Sequence, residues 1–186
     1  YKREIEGEDG SLRFVCDLSK DLNCVIIAGV QTDNYGMIRR SVIVADSGSL
    51  TGVSDMVHAV MPDRFAAGGG FRVYDTSKGK IGIIVDEDMY FPEVPRILTL
   101  CGSEILISVA ENLNYDMCNV LARAYSFTNG IPCVVNVGNK IFAADGKGDV
   151  ISVADNIAEI ELNREYKLMR ARRLGFYKEI ASPFFN

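Results

Sequence analysis

No apolar stretch in this sequence approaches the ~18–20 residues that a bilayer-spanning helix needs. No two cysteines are spaced as C-x-x-C, which removes the commonest zinc and dithiol signatures. An N-x-[ST] sequon is missing, and so is any stretch patterned like a secretion signal. Basic residues are outnumbered, with 20 Lys and Arg against 25 Asp and Glu and a formal net charge of −5. Phosphate neutralisation needs clustered cations, so neither nucleic acid nor a membrane is an expected partner. There is no linker, low-complexity tract or internal repeat. Gly68-Gly69-Gly70 lacks the GK[ST] of a phosphate loop, and Gly79-Lys80 runs on into Ile81, so nucleotide binding finds no support.

What is present fits one domain over residues 1–186, at 48% hydrophobic and 24% charged composition. Five dispersed cysteines (Cys16, Cys24, Cys101, Cys118 and Cys133) read as buried free thiols of a reducing compartment. The expected location is therefore cytoplasmic. The basic run from Lys167 to Arg173 reads as the solvated face of a helix, ahead of a phosphate-binding patch. The chain opens at Tyr1 in a charged stretch rather than at a methionine, which leaves room for a segment upstream.

Short apolar runs rich in β-branched residues predict strands at 25–29, 41–45, 71–75, 81–85, 104–110, 133–138, 141–144, 149–154 and 158–162. The runs IGIIV and ILISV are apolar at consecutive positions, as in strands covered on both faces. Helical spacing predicts a helix from about Gly10 to Asn23, on Leu12, Val15, Cys16, Leu18 and Leu22. A second helix is expected from Pro92 to Cys101, stopped by Gly102. Met117, Val120, Leu121, Ala124 and Phe127 mark a third, and Asn163 reads as the N-cap of a fourth reaching Leu174. Helices mixed with buried strands imply a layered α/β sheet protein.

The segment KIGIIVDEDMYFPEVPRILTLCGSEILISVA, residues 80–110, resembles the nucleophile region of the nitrilase, or carbon–nitrogen hydrolase, superfamily. Lys80, Ile81, Gly82, Asp88, Phe91, Pro92, Glu93, Gly102 and Glu104 fall in register with it. Residues 71–82, 41–52, 121–139 and 141–162 resemble its flanks, so the resemblance covers about 10–175. It implies a four-layer αββα sandwich that lacks the N-terminal strand–helix–strand unit, and a homodimer paired through helices beside the active site.

The resemblance also implies a cysteine nucleophile, a glutamate base and a lysine at the oxyanion. Here the cysteine position is Asp86, and the lysine position, two residues before His58, is Met56. The glutamate would precede this chain. A carboxylate attacks amides and nitriles poorly and would form a mixed anhydride, and a thioether brings no charge. Rescue by Cys101 is not expected, because that residue reads as core. The family's reaction is accordingly expected to be lost, leaving binding or assembly as the function. The rival is a C–N hydrolase in which Asp86 acts as base or metal ligand. The residues expected to line a small-molecule pocket are His58, Asp63, Glu87, Asp88 and Glu111. The bland reading makes His58 a hydrogen-bonded turn residue, Asp88 and Glu93 structural, Glu87 solvated and Met56 packing, with no cofactor and no metal.

Overall fold

The computed structural model describes residues 10–60, 65–153, 157–162 and 166–177. Helix α1 (Ser11–Asp21) leads into strands β1 (Ile26–Asn34), β2 (Met37–Asp46) and β3 (Ser49–Asp55), which pair antiparallel in the order β1-β2-β3. A second sheet takes β4 (Val73–Thr76), β5 (Gly79–Val85), β6 (Ile105–Ala110), β7 (Cys133–Val137), β8 (Lys140–Ala144) and β9 (Val150–Ile151) in chain order. Its β5, β6 and β7 run parallel, because helices α2 (Glu93–Leu100) and α3 (Tyr115–Asn129) make the crossovers. Helix α1 packs on β1–β3, the two sheets pack face to face, and α2 and α3 cover the far side of the larger one. The result is the four-layer αββα sandwich.

Two apolar clusters fill it. One lies between the larger sheet and its helices, built on Ile84, Leu98, Leu106, Ala122 and Val135. The other lies between the sheets, built on Val42, Val44, Ile81, Ile83 and Val85. Strand β5 supplies Ile81, Ile83 and Val85 to one cluster and Ile84 to the other, which is why it reads as continuously apolar. Gly52 of β3 marks how closely the sheets approach: a Cβ there would stand 2.4 Å from the ring of buried Tyr74.

The sheets are unequal, three strands against six. On β6 and β7 the residues turned to the helices, including Leu106, Ala110, Cys133 and Val135, are buried. Those turned the other way, Ile107, Val109, Val134 and Asn136, are half-buried, since β1–β3 cover only part of that face.

Helix ends follow local chemistry. The Asn114 side chain accepts from Met117 N at 2.9 Å and starts α3; Gly130, in the left-handed region, ends it. Pro92 precedes α2 and Gly102 follows it, as expected. Leu22 does not belong to the buried face of α1; it lies beyond the helix and is exposed. Residues 158–162 form no strand, and the 149–154 run contributes only the two residues of β9. The expected cap Asn163 lies outside the described residues, and the helix assigned there is one turn, α4 (Lys167–Arg170). A single turn with no buried residue lacks the packing that sustains longer helices. No helix of the described residues is long and apolar enough to cross a membrane.

Candidate functional site

Strand β5 delivers Asp86 at its C-terminal end, where the chain turns sharply into a 3₁₀ segment, Asp86–Tyr90. Tyr35 and Ser47 also have positive φ, but they sit in hairpin turns. Asp86 has φ +47° at the edge of the core, a strained conformation of the kind that gathers at functional sites. Its side chain is buried.

The carboxylate does not stand alone. Arg40, from β2 of the opposite sheet, donates Nη1 to Asp86 Oδ2. The Glu111 N–H approaches the same oxygen at 3.4 Å, and Arg40 Nη2 lies 3.7 Å from Glu111 Oε2. The guanidinium rests over the Phe65 ring, 4.7 Å from its centroid. An ion pair thus bridges the two sheets at the position where the resemblance expects a reactive sulfur.

Beside it lies a cleft of about 610 Å³, lined by Arg40, Asp86 and Glu111, by the amides Gln31 and Asn136, and by apolar side chains that include Ile27 and Val109. Among the described residues, neither cysteine nor lysine lines it. The thiol electrostatically coupled to Asp86 is that of Cys118, which is wholly buried on α3. Burial, and then the Asp86 charge, push that thiol up, the opposite of what a nucleophile requires. Cys133 is pushed up to about 12, first by burial. Cys101 is not core as expected. It is the C-cap of α2, past the last helical residue Leu100, and is exposed. Cys16 and Cys24 are half-buried, so burial of all five thiols does not hold.

Met56, where the resemblance expects a lysine, is fully buried in the inter-sheet cluster with Val42, Phe65 and Tyr74. The next two residues belong to a separate arrangement. Asp88 is buried and accepts from Val57 N at 3.0 Å, His58 N at 2.8 Å and His58 Nδ1 at 2.8 Å. Burial raises its carboxyl above the ordinary value, while these hydrogen bonds pull it back. His58 stacks on Phe91 at 3.8 Å between centroids, with Phe71 further out. Glu87 is not simply solvated: it accepts from Val60 N at 2.8 Å, holding the same loop. Tyr125 donates to Met89 O at 2.9 Å, fixing the 3₁₀ segment to α3.

Of the residues singled out from the sequence, the structure brings Asp86 and Glu111 into the cleft. It assigns His58, Glu87 and Asp88 to loop anchoring, and Asp63 lies outside the described residues. No group of three His, Cys, Asp or Glu able to hold a metal occurs among the described residues. Arg40 was missed, although a signal existed. In MIRRSVIVAD, Arg40 shares the inward face with Val42 and Val44, and a cation on a core-facing position calls for a buried partner.

The family model described as carbon-nitrogen hydrolase matches residues 2–164. A probable nitrilase of Schizosaccharomyces pombe is 33% identical over 139 residues, covering 70% of this chain and 51% of that protein. A nitrilase of Pyrococcus abyssi is 28% identical over 200 residues, covering 94% of this chain and 71% of the relative. The crystal structure of a carbon–nitrogen hydrolase from Helicobacter pylori G27 superposes with a TM-score of 0.82 at 24% identity, over 97% of this chain and 78% of that one. The chain therefore spans about half the length of the fission-yeast relative, and the similarity to the solved structure establishes the fold.

Proposed function

The chain belongs to the carbon–nitrogen hydrolase family, and from that premise we propose that it does not perform the family's acyl transfer and acts by binding a small molecule and by pairing with a second copy. One observation carries this reading: the residue that follows β5, Asp86, is a carboxylate ion-paired to Arg40, and no thiol is among the described residues lining the cleft beside it. A carboxylate held by a guanidinium is a weaker nucleophile still than a free one, and buried Met56 puts no cation where an oxyanion would develop. Incubation with a panel of amides, nitriles and N-carbamoyl compounds should release no ammonia above buffer. Turnover that disappears in Asp86→Asn would overturn the reading.

The observation favouring the rival, a hydrolase using Asp86 as base, is that the cleft remains open rather than filled by Met56. The same ammonia assay decides between them.

Pairing is supported by a stripe on α3, where Met117, Val120 and Phe127 are 51%, 62% and 55% exposed at helical spacing. Sedimentation should give a dimer, and Val120→Glu with Phe127→Glu should give a folded monomer. A monomeric wild type removes assembly from the proposal.

A further inference from the structure

Among the described residues that line the Asp86 cleft, negative charge exceeds positive. Among the described residues that line it, Arg40 is the only cation, while Asp86 and Glu111 provide two carboxylates. Both guanidinium contacts are already committed, Nη1 to Asp86 and Nη2 to Glu111. Even so, Asp86 is left incomplete. Its residue is 3% exposed, Oδ2 is held by Arg40 and the Glu111 N–H, and Oδ1 has no hydrogen-bond partner among the described residues. A buried carboxylate oxygen without a donor is a state that folded proteins rarely keep unless something else supplies the N–H. Glu111 behaves differently: its side chain is 74% exposed, leaving it free to adjust at the mouth.

We propose that this cleft binds a small organic cation, a primary ammonium group on a short alkyl chain. The proposal rests on reading the cleft as a binding site rather than a hydrolytic one. An ammonium offers three donors and one positive charge. It would complete the Asp86 carboxylate and cancel the excess charge, with Glu111 as its second acceptor. The alkyl chain would lie along Ile27, Val85 and Val109, all of which line the cleft. Other ligand classes fit less well. A carboxylate or phosphate would face two like charges. A divalent metal wants several converging oxygens, and Arg40 already occupies one flank of Asp86. A neutral amide brings a donor but leaves the charge uncompensated.

The test is calorimetric titration near neutral pH and at low ionic strength, where screening is weakest. The probes are n-butylammonium, butyramide and butyrate, all four-carbon compounds differing in head group. Butylammonium should bind saturably, butyramide at least about tenfold more weakly and butyrate not at all. Glu111→Gln, at an exposed position that leaves folding intact, should weaken butylammonium at least about fivefold. Asp86→Asn, checked for folding by thermal melting, should weaken it further. Absence of butylammonium saturation, equal or tighter binding of butyramide or butyrate, or unchanged affinity in Glu111→Gln overturns the inference. Ammonia is measured in the butyramide arm. Its release sinks the non-hydrolytic reading itself, whereas a silent butyramide arm without butylammonium binding sinks only the cation.

Discussion

Replacing Arg40 with methionine should lower the stability of this protein by about 3–5 kcal/mol in urea unfolding. Methionine keeps most of the side-chain length and removes the charge, so the loss is not mainly one of packing. What it leaves behind is Asp86, whose side chain is 5% exposed and whose second oxygen already lacks a donor. Coulomb attraction across a half-dry gap offsets much of the cost of burying each ion, and removing one ion leaves that cost uncompensated. The converse change should be milder. Asp86→Asn leaves Arg40 with Glu111 and with 17% exposure to solvent, and asparagine tolerates the φ of +47° nearly as well as aspartate. The double variant Arg40→Met with Asp86→Asn should be more stable than Arg40→Met alone, because the orphaned charge is gone. If Arg40→Met unfolds within about 1 kcal/mol of wild type, the pair is a surface contact and the inter-sheet strut does not exist.

How much of this was visible in the sequence depends on the range of the interaction involved. Strand β5, the start of α2 and the body of α3 were legible because Ile81–Val85, Pro92 and the Met117–Phe127 spacing are local signals that tertiary packing reinforces. Residues 158–162 show the limit: AEIEL has strand-like alternation but pairs with no neighbouring strand, and alternation cannot report whether a partner edge is available. Cys101 shows another. It continues the apolar spacing of Val94 and Leu98, but the helix stops at Leu100, so that spacing no longer decides whether residue 101 is buried. The site was half legible. The sequence pattern singled out Asp86, which lines the cleft, and Met56, which does not; the partner of Asp86 lies 46 residues upstream on the other sheet, and only the fold joins them. The three carboxylates Asp86-Glu87-Asp88 looked like one cluster. A turn at positive φ sends them three ways: to Arg40, to the Val60 N–H, and to the Val57 and His58 backbone.

Asp88 gives the second large effect. Asp88→Ala should cost about 2–4 kcal/mol, because it orphans the Val57 and His58 N–H groups and the His58 ring together. That loop carries Met56, so its release would also loosen the inter-sheet cluster in which Met56 is packed. The pH dependence has a definite sign. Burial lifts the Asp88 carboxyl above its ordinary 3.8, outweighing the hydrogen bonds that would lower it. The folded protein therefore holds this proton at a pH where the unfolded chain has released it. The stability linked to that proton is fully present below 3.8 and is lost as pH rises through the raised value. Asp88→Asn cannot titrate, so the margin of wild type over Asp88→Asn should be widest in acid and should narrow toward neutrality. Urea midpoints of the two proteins across that range test it. A margin that instead grows with pH would mean that the three donors outweigh burial, and that Asp88 is held as a strong anion rather than a reluctant one.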